Sequence, residues 1–195
     1  MKKYKLHTNY KQILADTITP VSVYLKIRDK FPNSILLESS DYHANDNSFS
    51  YICCNPIATI KIENETIHKT FPDGSFEKIT IDATTNIPAV IQEFSSQFKS
   101  EKNGFKFINN GLFGYISYDA VRYFEKVAIT KKENSNTIPD VYYAVYQNII
   151  AINHFKDEMY ICENKVKGVE SELASLESFI YSKDLPTYPF AKAGV

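Results

Sequence analysis

Residues 141–152, Val-Tyr-Tyr-Ala-Val-Tyr-Gln-Asn-Ile-Ile-Ala-Ile, restrict the fold more than any other stretch of the chain. β-branched and aromatic side chains fit a pleated, half-buried surface, and the run holds neither glycine nor proline, so it predicts one long strand from Val141 to Ile152. Glu158 to Glu163 repeats the pattern. The polar residues Asn153 to Asp157 lie between the two runs, which together read as a β-hairpin.

Other strand patterns precede this hairpin. Thr19 to Tyr24, Ser34 to Ser39, Ser50 to Cys54, Ala58 to Glu63, Thr66 to Phe71 and Phe76 to Ile81 are short and rich in β-branched or aromatic residues. Pro72-Asp73-Gly74-Ser75 supplies turn chemistry between the last two, so the region reads as an antiparallel meander. The polar tract Asp41 to Ser48 and the stretch Thr130 to Thr137 read as loops.

Helical periodicity enters at three places. Lys26 to Phe31 predicts the end of a helix that Pro32 stops. Ile87, Val90, Ile91, Phe94 and Phe98 share one face at helical spacing, with Pro88 in the tolerated first turn. Lys165 to Tyr181 places Val169, Leu173, Leu176 and Ile180 on an apolar stripe, with Glu170, Glu172 and Glu177 turned to water. Lys3 to Leu14 is polar and reads as an extended segment leading into a short helical turn. The fold class is therefore α+β, predominantly antiparallel sheet with a few amphipathic helices. At 195 residues the chain suits one domain, 1–181, followed by a linker-like tail, 182–195, with Pro186 and Pro189.

Composition narrows the functional classes. A net charge of −1 with scattered lysines and arginines offers no basic surface for nucleic acid. Apolar runs fall far short of the roughly 20 residues of a spanning helix, and the N-terminus lacks a signal-peptide core. Neither membrane nor nucleic acid is expected as a partner, and the expected location is cytoplasmic.

Cys53, Cys54 and Cys162 have no metal-ligand spacing, and adjacent Cys53 and Cys54 point to opposite faces of a strand. They read as reduced structural thiols. His7, His43, His68 and His154 stand apart from one another, with no zinc spacing. No phosphate-binding glycine loop or nucleophile elbow is present. Glu38 and Asp41 could pair for acid–base chemistry, but residues bounding a loop are more often solvated. No catalytic residue and no metal ligand is assigned.

One segment is not demanded by packing. In Gly111-Leu-Phe-Gly114-Tyr115-Ile-Ser-Tyr118-Asp119-Ala-Val-Arg122-Tyr-Phe-Glu125, a strand pattern runs into a short helix, and Asp119, Arg122 and Glu125 recur every third residue where opposite charges can pair. It resembles the GYxxYDxxRxxE signature in the N-terminal region of the anthranilate synthase large subunit and its relatives. Matches in the same order are Thr19-Pro20-Val-Ser-Val-Tyr24, Leu36-Leu37-Glu38-Ser39-Ser40, Ser50-Tyr51-Ile52 with Asn55-Pro56, Ile138-Pro139-Asp140, and Ile152-Asn153-His154-Phe155. The chain departs from the family pattern at Ser48, where many relatives carry a basic residue, and at Cys53 for glycine, Asn55 for aspartate and Asn153 for aspartate.

The resemblance implies the N-terminal domain of a longer lyase that converts chorismate and glutamine-derived ammonia into anthranilate and pyruvate, in tryptophan biosynthesis. It implies an absent C-terminal chorismate-binding domain that holds the catalytic residues and Mg2+, and a glutamine amidotransferase subunit as partner. This chain alone would hold no cofactor and be inactive. Its own role would be feedback inhibition by tryptophan at Pro20, Leu37, Glu38, Ser39 and Ser50. There a carboxylate and hydroxyls suit an amino acid's charged groups, and Pro20 and Leu37 offer an apolar wall. The related aminodeoxychorismate synthase component of folate synthesis and a free-standing small-molecule-binding module are the alternatives.

Overall fold

A computed structural model describes residues 2–38, 48–101, 103–125, 127 and 138–184. The polar loop expected within 41–48, apart from Ser48, the loop at 130–137, and the tail beyond Asp184 lie outside these residues. In chain order the elements are β1 (Tyr4–Leu14), α1 (Pro20–Ile27), β2 (Ile35–Leu37), β3 (Phe49–Glu63), β4 (Thr66–Thr70), β5 (Phe76–Thr80), α2 (Ile87–Ser96), β6 (Phe98–Ser100) and β7 (Phe113–Ile116). A 3-10 helix (Tyr118–Tyr123), β8 (Val141–Asn153), β9 (Glu158–Lys165) and α3 (Leu173–Tyr181) follow.

The α+β reading holds, and the strands form one sheet in the order β5-β4-β3-β8-β9-β1-β6. Every pairing is antiparallel except β1 with β6. Its spine is the β3–β8 pair, in register from Phe49↔Asn153 to Ile62↔Val141. The two spine strands each take two further neighbours, one per half. β2 lies along Tyr51–Cys53 and β4 along Thr59–Glu63 of β3, while β9 lies along Asn148–Asn153 and β7 along Val141–Ala144 of β8. The expected hairpin across Asn153 to Asp157 is present.

Asn55-Pro56 does not separate two strands, as the sequence suggested; β3 runs through it. The register shifts between Pro56 and Ala58, and Asn55 adopts a positive φ of 60°. A bulge is where a strand tolerates proline, which has no N–H for the ladder, so the residues that read as a turn become a bend inside one strand.

Alternation along the strands divides the core. Ile52, Cys54, Ile150, Ile152 and Ile161 pack on one face with Val23 and Ile27 of α1 and Leu176 and Ile180 of α3. Cys53, Ile149, Ala151 and Cys162 point to the other face, where Phe49, Phe107, Phe113 and Tyr146 join them. A third group, with Ile60, Ile62, Ile67, Val141 and Val145, is covered by Ile87 and Phe94 of α2. Cys53 and Cys54 thus face opposite ways, as read.

Three elements differ from expectation for identifiable reasons. Thr19 to Tyr24, expected as a strand, opens α1. Thr19 is its N-cap, Ser22 N donates to Thr19 Oγ1 at 3.1 Å while Thr19 N donates to Ser22 Oγ at 3.2 Å, and Pro20 occupies the first turn. This capping box outweighs the strand propensity of Val21 and Val23. Of the helix expected over Lys165 to Tyr181 only Leu173–Tyr181 forms, because Lys165 completes β9 and Gly168 takes a φ of 91°. β1 is extended throughout, without a helical turn, since His7 to Leu14 pair with β9 and Tyr4 to Leu6 with β6.

Gly114 lies where β7 meets β8. A Cβ there would stand 2.9 Å from Tyr142 C and from Tyr143 Cα, and closer still to the Tyr142 carbonyl oxygen. The obstruction is backbone, which cannot rotate away. Gly114→Ala is expected to destabilise the fold by about 2–3 kcal/mol, read from urea unfolding midpoints, whereas Gly74→Ala, with open space around its Cβ, costs about 1 kcal/mol through its φ of 78°.

The three cysteines are buried and free, and burial pushes the thiols of Cys54 and Cys162 up to about 12 from the ordinary 9.0. Their folded-state pKa values exceed the unfolded ones, so their contribution to stability is complete below about pH 9 and falls as pH rises towards about 12. Unfolding free energy is expected to drop across that window by up to about 1.4 kcal/mol per pH unit for each thiol. The Cys54→Ala, Cys162→Ala double variant, measured by denaturation at several pH values, should show a shallower drop.

Candidate functional site

The motif segments converge at one end of the spine. β2 brings Leu36 and Leu37 opposite Ile52 and Tyr51, and β8 brings Ile152 and Asn153 opposite Ser50 and Phe49. Ser50 is 1% exposed, and its Oγ lies 2.7 Å from His154 Nε2. Ser50 faces Ile152, and His154 stands two residues further along the same side, so this is a diagonal cross-strand pair. His154 N also donates to Ser48 O at 3.1 Å.

Asn153 holds the turn beyond this pair. Its Oδ1 accepts from Phe155 N at 2.9 Å and from Lys156 N at 3.1 Å. A carboxylate would accept the same two bonds, so asparagine in place of the family's aspartate keeps the turn and removes a charge.

The candidate residues do not all meet. Pro20, buried in the first turn of α1, belongs to the same buried stripe as Val23 and Ile27, on the side of the sheet that Ser50 faces. Leu37 packs with Tyr51, Phe49 and Cys53 on the opposite face. Pro20 and Leu37 therefore do not form a common wall. Glu38 is exposed at the end of β2, while Ser39 and Asp41 lie outside the described residues. Ser50 and the β8 terminus thus meet at one end of the spine, and Glu38 continues β2 beyond Leu37 at that end. His154 is the member that sequence reasoning missed. Its signal was its place in Ile152-Asn153-His154-Phe155, paired in the spine with Ser50-Tyr51-Ile52.

The signature segment has a different role. Arg122 does not pair with the Asp119 carboxylate; its Nη1 donates to the Asp119 carbonyl at 2.9 Å, and its Nη2 donates to Asp140 Oδ2 at 2.6 Å. Tyr123 Oη donates to the same oxygen at 2.9 Å, and the guanidinium lies 4.6 Å from the Tyr123 ring centroid. Asp140 N donates to Ile62 O and Ser117 N to Asp140 O, both at 2.8 Å. These bonds pin the 3-10 helix to the start of β8, and with Gly114 they account for the signature as a clamp between strands. Arg122 and Asp140 are each about five-sixths buried, so this ion pair counts for more than an exposed one.

Relatives of this chain have been characterised in other organisms. It is 27% identical over 169 residues to anthranilate synthase component 1 of Lactococcus lactis, covering 83% of this chain and 33% of that protein. The same enzyme component of Thermus thermophilus is 26% identical over 190 residues, 94% of this chain and 38% of that protein. The component from Saccharomyces cerevisiae is 29% identical over 153 residues, 75% and 27% of the two chains. A crystal structure of anthranilate synthase component I from Streptococcus pneumoniae superposes with a TM-score of 0.49 at 22% identity, covering 88% of this chain and 35% of that one. The chain thus spans about a third of the length of the relatives it matches. The family model described as chorismate binding enzyme matches residues 33–191, four-fifths of the sequence, and the chain belongs to that family.

Proposed function

We propose that this chain acts as the N-terminal regulatory and scaffolding part of an anthranilate synthase component I. The longer protein would be a cytoplasmic lyase that turns chorismate and glutamine-derived ammonia into anthranilate and pyruvate, with an amidotransferase subunit as partner. The observation that carries the reading is the convergence of Leu36 to Glu38, Ser50 to Ile52 and Ile152 to His154 at one end of the spine, through Leu37↔Tyr51, Ser50↔Ile152 and the Ser50–His154 bond. Three motif segments far apart in sequence meet there in a fixed register.

The exposed apolar residues support a scaffolding role. Tyr118 is 89% exposed, and Ile116, Val127 and Ile138 are exposed as well. Exposed apolar side chains suit a surface that another unit covers, and in this reading the catalytic domain covers it. Among the described residues no three His, Cys, Asp or Glu side chains could hold a metal ion together. This reading assigns the magnesium site and the chorismate chemistry to the catalytic domain.

Regulation would use the Ser50 end. Glu38 offers a carboxylate to the effector's ammonium, and the Ser50 hydroxyl, held by His154, offers an oriented polar group at the same end of the sheet. Calorimetric titration of tryptophan into the chain is expected to show saturable but weak binding, with Kd near the millimolar range. Glu38→Gln and Ser50→Ala should each weaken it about tenfold. Binding unchanged in both variants, with circular dichroism confirming the fold, would reduce this end of the sheet to a structural role.

A further inference from the structure

A cavity of about 390 Å3 opens between the residues that follow α1 and one side of α3, away from the Ser50 end. Lys30, Phe31, Asn55, Glu172, Ser175 and Phe179 line it. Its apolar part is formed by Phe31 and Phe179, whose ring centroids lie 6.0 Å apart at an interplanar angle of 84°. Its polar part has one cation and one anion. Lys30 Nζ sits 5.8 Å from the Phe179 ring centroid, and neither Lys30 nor Glu172 has an ion-pair partner among the described residues.

These groups are held in place from behind. The fully buried Glu163 accepts from Ser171 Oγ at 2.7 Å and from Glu172 N at 3.0 Å, fixing the turn that carries Glu172. Asn55, at its positive φ in the bulge of β3, donates Nδ2 to Gln147 Oε1 at 2.6 Å. Lys26 Nζ donates to Ile180 O at 2.8 Å and Ser182 O at 2.7 Å, tying α1 to the C-terminus of α3. The buried polar atoms Asn148 Nδ2, Asn148 Oδ1 and Glu163 Oε2 have no hydrogen-bond partner, although Lys165 Nζ lies 3.8 Å from Glu163 Oε2, and Asn148 and Glu163 face each other in the β8–β9 register.

A lone cation beside a lone anion, with two aromatic rings and a pre-placed amide, matches a ligand that carries a carboxylate and an ammonium on one small apolar body. We infer that this cavity binds a free apolar α-amino acid. Lys30 takes the carboxylate, Glu172 takes the ammonium, and Phe31 and Phe179 enclose the side chain; the volume is within the range of small-ligand pockets. The site is separate from the one at Ser50 and does not require the reading given to that end.

The test is calorimetry on the full 195-residue chain with L-leucine, L-phenylalanine and L-tryptophan, with N-acetyl-L-phenylalanine amide as the probe that has neither charge. At least one amino acid is expected to bind saturably and the capped probe not to bind. Glu172→Gln should weaken binding at least tenfold and Lys30→Met at least fivefold. Both substituted side chains reach solvent, so the variants should fold, which circular dichroism checks. Absence of saturable binding by all three amino acids, binding indifferent to both charge substitutions, or equal binding of the capped probe overturns the inference. Tryptophan binding lost in Ser50→Ala but retained in Glu172→Gln, with no binding of leucine or phenylalanine, overturns it too and leaves the Ser50 reading standing.

Discussion

The antiparallel pairing of β3 with β8 is the interaction on which the rest of the molecule depends. These two strands lie side by side from Phe49↔Asn153 to Ile62↔Val141, and every other strand except β1, β5 and β6 bonds directly to one of them. A one-residue slip between them would turn Ile52, Ile60, Ile150 and Ile152 away from the helices that cover them. Fully burying one such side chain contributes about 1.5–3 kcal/mol, so losing four of them costs about 6–12 kcal/mol, comparable to the whole net stability of about 5–15 kcal/mol typical of a domain. The bulge between Pro56 and Ala58 is the one place where the register shifts, and it coincides with the change of neighbours from β2 to β4.

Most of this spine is legible in the sequence. Val141 to Ile152 has one reading because β-branched and aromatic residues fill it from end to end, and Asn153 to Asp157 can only turn. The α2 periodicity is equally direct: Ile87 and Phe94 fall where the buried face requires them. The misread elements are those where a local rule opposes average propensity. Val21 and Val23 favour a strand, but Thr19, Pro20 and Ser22 together cap a helix. Val169 continues the helical stripe of α3, but Gly168 and the bonds to Glu163 hold the preceding residues in a turn. Asn55-Pro56 reads as a turn in isolation, and only its long-range pairing with β8 makes it a bulge.

The polar sites were less legible because they depend on pairing over long sequence distances. Ser50 and His154 are 104 residues apart, and their bond exists only because β3 and β8 adopt this register. Pro20 and Leu37 both look like pocket walls, yet strand alternation and the capping box put them on opposite faces of the sheet. The Asp119, Arg122 and Glu125 spacing suggests a row of neighbouring pairs, but a buried aspartate 18 residues away takes the arginine instead. The three nearby side chains could pair only in solvent, where such contacts contribute little, whereas Asp140 offers Arg122 a largely buried partner that Tyr123 also bonds.

The same spine sets how the two polar regions relate. Ser50 stands near the start of β3 and Asn55 at its bulge, five residues on, which at about 3.3 Å per residue separates them by roughly 16 Å. An amino acid is shorter than that, so one molecule cannot contact both. Between them the strand presents Ile52 and Cys54 to the core under α1 and α3, and this well-packed block has no polar group to lead a ligand from one end to the other. The two ends are therefore separate polar regions on one strand. Their separation follows from the alternation of β3: between its beginning and its bend the inner-face residues Ile52 and Cys54 are fully buried among side chains of α1 and α3.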